Sequence, residues 1–305
     1  MQPGHHDIHP RLALLVERFA HPLFLAAALV AWWWAGKGDF ASLVIVFAVL
    51  LIATGLEFLV PAVPEWRPTA GARLRLIGVY LLGFAISMSL IDTYAEVALP
   101  AFADLRERVG ANVWPKDWPM VVQVLLLFFS AELFFYWVHR AIHGWAPLWR
   151  VLGHGFHHGF QNLHATNAGA NHPFELVLLV VPLMLVPAAT GAPAEVAGCT
   201  ALLLIVNATL AHANVRMETP LFGLLFTSSN QHRRHHSAIF EESNTNFACN
   251  AILWDRLFGT YSSGAVRQTG IGPRQPALWR LFMLPLREPT DADTIASRRH
   301  VRPAR

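Results

Sequence analysis

The chain has 305 residues, of which 54% are apolar and only 14% charged. Soluble domains carry roughly 25% charged residues, so the composition excludes an ordinary soluble fold and indicates an integral membrane protein. The net charge of +3 does not indicate nucleic acid, because the chain holds only two lysines and its arginines are scattered.

Four apolar stretches come first, at about 22–36, 41–63, 76–99 and 119–138. A helical span needs roughly 20 residues. The second, third and fourth stretches are long enough; the first is short and would tilt or thin the bilayer. It is followed by Lys37-Gly38-Asp39 rather than by a small-residue cleavage site, so it does not read as a secretory signal. A fifth stretch at 174–190 and a sixth at 194–211 are joined by Thr190-Gly191-Ala192-Pro193. Pro182 and Pro187 interrupt the fifth, so this hairpin is either two kinked spans or a re-entrant pair. The tail from about 288 reads as flexible. Cys199 and Cys249 form no Cys-x-x-Cys site, and two reduced thiols are expected.

If the N-terminus is cytoplasmic and every stretch crosses, 19 of the basic residues fall inside. Only Lys37, Arg106, Arg108 and Lys116 fall outside, a strong positive-inside bias. Trp32, Trp33, Trp34, Trp114 and Trp118 then lie at the outer interface, as an aromatic belt would. The expected architecture is all-α: an integral membrane helical bundle of about four transmembrane helices plus a kinked or re-entrant hairpin. A histidine-rich helical domain caps it on the cytoplasmic side, where both termini also lie. The expected divisions are a membrane region at 1–118, a metal-binding domain at 119–262 and a cytoplasmic segment with its tail at 263–305.

Eleven of the sixteen histidines fall between 139 and 236, mostly in three clusters. They read His139-Arg-Ala-Ile-His143, His154-Gly-Phe-His157-His158 and His232-Arg-Arg-His235-His236. Spacings of three and four stack side chains on one helix face, and imidazole is the commonest metal ligand. His172 and His212 end the fifth and sixth stretches at the same depth. His5, His6, His9, His21 and His300 read as ordinary interfacial or hydrogen-bonded residues. Ten candidate ligands, His139, His143, His154, His157, His158, His172, His212, His232, His235 and His236, exceed what one metal takes and suit two sharing a site. Nitrogen ligation alone is compatible with iron, zinc or copper. Glu132 lies seven residues before His139, inside an apolar span, where an acid needs a partner. It is expected to orient an imidazole, or else to bond a neighbouring helix.

The order and spacing of these motifs resemble the fatty acid hydroxylase / sterol desaturase superfamily. Tyr136-Trp137-Val138-His139-Arg140 is similar to its first box, His172-Pro173-Phe174-Glu175 to its His-Pro-x-Glu element, and His212-Ala213-Asn214 to its middle histidine. Trp254-Asp255-Arg256-Leu257-Phe258-Gly259-Thr260-Tyr261 is similar to the segment after its last box. The resemblance covers about 120–262. It implies a non-haem centre of two iron ions, with the ten histidines as ligands and Glu132, Glu175, Asn214 and Asp255 standing behind them. It also implies a lipid substrate (a fatty acyl chain, sterol, alkylglycerol or carotenoid) hydroxylated with dioxygen, or alternatively desaturated. Electrons would come from a separate protein, cytochrome b5-like or a ferredoxin with its reductase. Glu132 stands where an aspartate is usual. His164, Ala168 and Ala170 replace the family's Asn and Ala-x-Arg, and Phe247-Ala248 replaces Tyr-Gly. None of these removes a ligand. A metal transporter would carry its ligands midway along spans, and a zinc protease would need His-Glu-x-x-His, which does not occur.

Overall fold

In a computed structural model, residues 10–110, 113–272 and 274–286 are described. The tail from about 288, together with His5, His6, His9 and His300, lies outside them. The described residues are helical, with two isolated bridges, Pro61 to Val215 and Ser237 to Thr269, and no strand.

Among the described residues, six helical segments are long and apolar enough to cross a membrane. They are α1 (Pro10–Trp34), α2 (Asp39–Leu59), α3 (Ala70–Val97), α5 (Met120–Gly144), the pair α8 (Pro173–Leu179) and α9 (Val181–Thr190), and α10 (Ala194–His212). A short helix, α4 (Leu99–Arg108), follows α3 after a break at Pro100, whose ring suits a first helical turn. Large apolar residues such as Leu51, Leu59 and Leu74 face outward, the inverse of a soluble protein. The most enclosed span is α10, packed on α5, α1 and α2. Its buried face is continuous along the helix, from Val196 and Cys199 through Leu202, Leu203 and Val206 to Leu210. One apolar core runs from Val16 to Ala251.

One expectation changes in detail. The first span begins at Pro10, not near 22. Its extra turns lie outside the apolar run, and the ring of Pro22 accounts for how they are anchored. Proline supplies no N–H to the carbonyl four residues back, and the hydroxyl of Thr219 donates to that Arg18 carbonyl at 2.7 Å. The neighbouring Glu17 carbonyl accepts the Glu218 N–H at 2.8 Å. The hairpin, in turn, runs the length of the bundle. Glu195 at its turn pairs with Lys37 in the α1–α2 connection. Arg106 of α4 caps the end of α9 by donating to the Ala188 carbonyl at 2.8 Å. Its kink falls between α8 and α9, where Pro182 starts a new helix.

At the opposite end, short helices form a cap: α6 (Ala146–Leu152), α7 (His154–His158), α11 (Phe222–Leu225), α12 (Ser229–His235), α13 (Phe240–Ser243), α14 (Leu253–Leu257) and α15 (Leu278–Phe282). A 3₁₀ turn at Ala165–Gly169 lies between α3 and α10. The buried carboxylate of Glu57 ties cap to spans. It accepts from the amides of Ala165 at 2.6 Å and Asn214 at 3.1 Å and from the guanidinium of Arg73 at 3.2 Å.

Candidate metal centre

Three elements and one helix end bring nine histidines together. His139 and His143 sit one turn apart on the last turns of α5, both buried. The chain then reverses at Gly153, whose φ of +69° favours glycine and where a Cβ would stand 2.6 Å from the His172 ring. That turn launches α7 with His154, His157 and His158. α12 starts from a capping box: the Gln231 side chain accepts the Ser228 amide at 2.8 Å. It carries His232 and His235, and His236 follows at its end. His212 closes α10.

The ligand nitrogens fall into two groups, each within 4.8 Å of one another. One holds His139, His143, His154, His158 and His235; the other holds His157, His212, His232 and His236. All nine are buried. The groups adjoin, with the rings of His158 and His236 stacked at 4.3 Å.

Hydrogen bonds fix which ring nitrogen faces inward. Nδ1–H of His139 donates to the Phe247 carbonyl at 2.6 Å, of His235 to Thr245 at 2.8 Å, of His212 to Ala208 at 2.7 Å and of His157 to Ala170 at 3.2 Å. Nδ1–H of His154 donates to the Glu175 carboxylate at 2.5 Å. A carbonyl can only accept, so the inward Nε2 of these rings carries a lone pair. Yet Nε2 faces Nε2, lone pair to lone pair, between His139 and His154 at 3.1 Å and between His157 and His212 at 3.3 Å, and the Nε2 atoms of His143 and His232 stand 3.0 and 3.1 Å from those of His154 and His212. Opposed lone pairs in a buried site are unfavourable unless a cation lies among them. An ion with bonds of about 2.1 Å to imidazole holds adjacent ligands roughly 3.0 Å apart at right angles and roughly 3.4 Å at tetrahedral angles. The observed separations fall in that interval, so the residues fit a metal. Burial pushes His158, His232, His235 and His236 well below the usual histidine range and His157 down to about 4. They are therefore held neutral, as ligation requires.

The other candidates are placed differently. Glu175 is in contact with His154, as described. Asp255 lies one peptide behind His139: its carboxylate accepts from the amides of Phe247 at 2.7 Å and Ala248 at 2.8 Å, fixing the carbonyl that His139 uses. Three expectations need correction. His172 stands outside both groups. Its Nδ1 accepts the Phe174 amide and its Nε2–H donates to the Phe282 carbonyl, each at 3.1 Å, which leaves no nitrogen for a metal. Glu132 orients no imidazole, and its partner is not a neighbouring helix. Both its oxygens accept from Asn250, one from the amide at 2.9 Å and one from the side chain at 2.8 Å, clamping α5 to the loop after α13. Asn214 bonds the backbone of Val63 at 3.0 and 2.9 Å and touches no histidine through its side chain.

His164 also lies outside both groups, bonded to the Thr166 hydroxyl at 2.6 Å. Burial, with the nearby charge of Arg73, lowers it to about 3. His21 is the hydrogen-bonded of its two expected kinds, fully buried against Asn207 at 2.7 Å. Glu57 was not anticipated, although an acid inside the 41–63 stretch was as conspicuous as Glu132. The cysteines are unpaired, and Cys249 lines the site.

A cavity of about 230 Å³ reaches the histidines from among the spans. Its walls include Ile91 of α3, Phe135 of α5, Leu179 and Leu183 of the hairpin and Leu204 of α10, and His139, His154, His157 and His212 line its inner end. Apolar walls closing on a polar end suit a lipid chain.

The fatty acid hydroxylase family matches residues 124–260. An ornithine lipid hydroxylase of Rhizobium tropici is 32% identical over 265 residues, 82% of this chain and 77% of the relative. This chain belongs to the fatty acid hydroxylase family. A very-long-chain aldehyde decarbonylase of Oryza sativa subsp. indica is 29% identical over 151 residues, 47% of this chain and 54% of the relative. A methylsterol monooxygenase of Arabidopsis thaliana is 26% identical over 141 residues, 45% of this chain and 52% of the relative. No solved structure matches the chain. As a member of the fatty acid hydroxylase family with paired histidine groups, the protein is an oxygen-dependent oxidoreductase of the lipid-hydroxylating class.

Proposed function

We propose that the chain hydroxylates an acyl lipid of the ornithine-lipid kind at a centre of two irons. His139, His143, His154, His158 and His235 would hold one iron, and His157, His212, His232 and His236 the other. The single observation that carries this is the facing of Nε2 lone pairs in two adjoining buried groups. The substrate class rests on the ornithine lipid hydroxylase, whose resemblance extends over 82% of the chain, whereas the other two relatives match less than half of it.

Bound iron supplies the activation of dioxygen and the oxidising power that breaks a C–H bond. One oxygen atom enters that bond and the other leaves as water, with two electrons and two protons consumed. The remaining work belongs to the protein. Phe135, Leu183 and Leu204 line the approach and exclude water from the reacting carbon. Glu175 holds the His154 ring in one tautomer, and Asp255 does the same for His139 through the Phe247 carbonyl. Electrons come from a separate donor, a cytochrome b5-like protein or a ferredoxin with its reductase. The charge bias of 19 basic residues against four supports a cytoplasmic position for the histidine cap and both termini, within reach of such a donor.

The test is lipid mass spectrometry on cells expressing the protein or its His157→Ala variant under isotopically heavy dioxygen. A lipid gaining one heavy oxygen only with the intact protein is the expected result. Loss of two hydrogens without oxygen would make it a desaturase, and identical lipids with an active reductase present would sink the reading.

A further inference from the structure

A second apolar cavity, of about 630 Å³, lies between α3 and α15. Val79, Leu82 and Ile86 of α3 form one wall, Trp279 and Phe282 of α15 the other, and Phe156 of α7 also lines it. We propose that this groove is the side entrance through which an acyl chain of a membrane lipid reaches the histidine cavity. The inference rests on the lipid-hydroxylase reading above and adds to it the route of the substrate.

Three observations carry it. The groove and the histidine cavity adjoin, because Asn171 lines both. They also follow one another along a single face of α3: Gly83 lines the groove, while Ser87 and Ile91, one and two turns further on, line the cavity. At the junction the Asn171 amide is drawn back, donating to the Ala168 carbonyl at 3.1 Å.

Next, the rim of the groove is apolar and turned outward. Leu82 is 58% exposed and Trp279 62% exposed. Leu82 belongs to a membrane span, so its neighbours are acyl chains, and tryptophan favours the boundary between chains and headgroups. A dry groove opening at that depth has lipid chains as its surrounding solvent.

Finally, α15 is fastened as the wall of an entrance would be. Leu281 and Leu284 pack inward, so close to Gly159 and Gly155 that a Cβ there would stand 2.5 and 2.8 Å away. The His172 ring latches the far end through the Phe282 carbonyl at 3.1 Å. This gives the histidine of the His-Pro-x-Glu element a positioning role in place of ligation. With these contacts pinned, Trp279 and Phe282 remain directed at the groove.

The test uses the full chain in phosphatidylcholine vesicles containing a trace of phospholipid with a photoactivatable group near the end of one acyl chain. Illumination and peptide mapping then locate the adducts. They are expected on Trp279 and Phe282 at the rim and on Ile91 and Leu183 in the cavity. The double variant Leu82→Trp, Ile86→Trp fills the groove. It should lower the cavity adducts by about tenfold, equivalent to roughly 1.4 kcal/mol of chain occupancy. Leu51→Trp, at an outward position on α2 that is 73% exposed, should leave them unchanged. Phe282→Trp fills the groove from the other wall and serves if the double variant loses its metal. Cavity adducts absent from the parent, or persisting at full yield in the filled variants, would overturn the proposal. The labelling needs neither dioxygen nor reductant, so a protein that admits the chain without oxidising it would count against the hydroxylase reading alone.

Discussion

The two histidine groups are built to different standards. In the group of five, His139, His154 and His235 each have the outer nitrogen held by a protein acceptor, and one of those acceptors is the buried carboxylate of Glu175. In the group of four, His157 and His212 are held by carbonyls, but the outer Nδ1 of His232 and of His236 has no hydrogen-bond partner. Acceptors behind a ligand fix its tautomer and raise its basicity. The groups therefore differ chiefly in that a carboxylate stands behind the first, through Glu175 and His154, and only carbonyls behind the second, which makes the first the more electron-rich. The cavity from the spans touches both groups, through His139 and His154 on one side and His157, His212 and His232 on the other.

The comparison is broken most forcibly by His154→Ala. It removes one of the facing rings and leaves the buried Glu175 carboxylate without its donor, a loss of about 1–3 kcal/mol or more. Hydroxylation and metal in the group of five should both be lost, as read by product formation and metal analysis. Glu175→Gln is gentler and more selective. Metal affinity of the group of five should fall about 10- to 100-fold while the group of four changes little, as measured by chelator competition. Equal weakening of both groups would erase the distinction between them. Glu132→Gln sets an amide NH2, which cannot accept, against one of the two Asn250 donors, with an expected cost of about 1–3 kcal/mol. Thermal stability should drop slightly with the metal content unchanged, whereas loss of metal would restore Glu132 to a role beside the ligands.

Acidity gives the last and most graded effect. His157 is held at about 4 by burial, below the ordinary value near 6.5. Between those values the unfolded chain binds a proton that the folded one refuses, so metal-free protein should lose stability as pH falls from about 6.5 toward 4. Stability should be fully present above that window. Thermal unfolding of chelator-treated protein across the range tests the sign, and a rise in stability on acidification would contradict it.

Much of the site was legible because ligation needs side chains at helical spacings, and spacing survives in a linear sequence. His139 with His143, His154 with His157 and His158, and the third cluster could be read off directly. Depth in the membrane pointed to His212, which lies in the group of four, but also promoted His172, which shares that depth and serves as a helix cap. Nothing in its residue type separates the two, because the decision is made by where the Phe282 carbonyl lies, 110 residues away. The carbonyls of Phe247, Thr245, Ala170 and Ala208 were invisible for a related reason: every residue has one, and only the fold selects which meets a ring. The spans were legible from hydropathy, yet the start of α1 was not, since its first turns leave the apolar run and are secured by Glu218 and Thr219 from a distant loop. Glu57 could have been found by the rule applied to Glu132, that an acid inside an apolar stretch must have partners.

The most direct measurement is iron analysis with Mössbauer spectroscopy on the purified, iron-loaded chain, beside His154→Ala and His236→Ala. Two irons per intact chain are expected, magnetically coupled and in distinguishable environments, with each variant losing its own group's iron and the coupling. A single iron per chain, or a metal content that neither substitution changes, would contradict a paired centre held by these nine histidines.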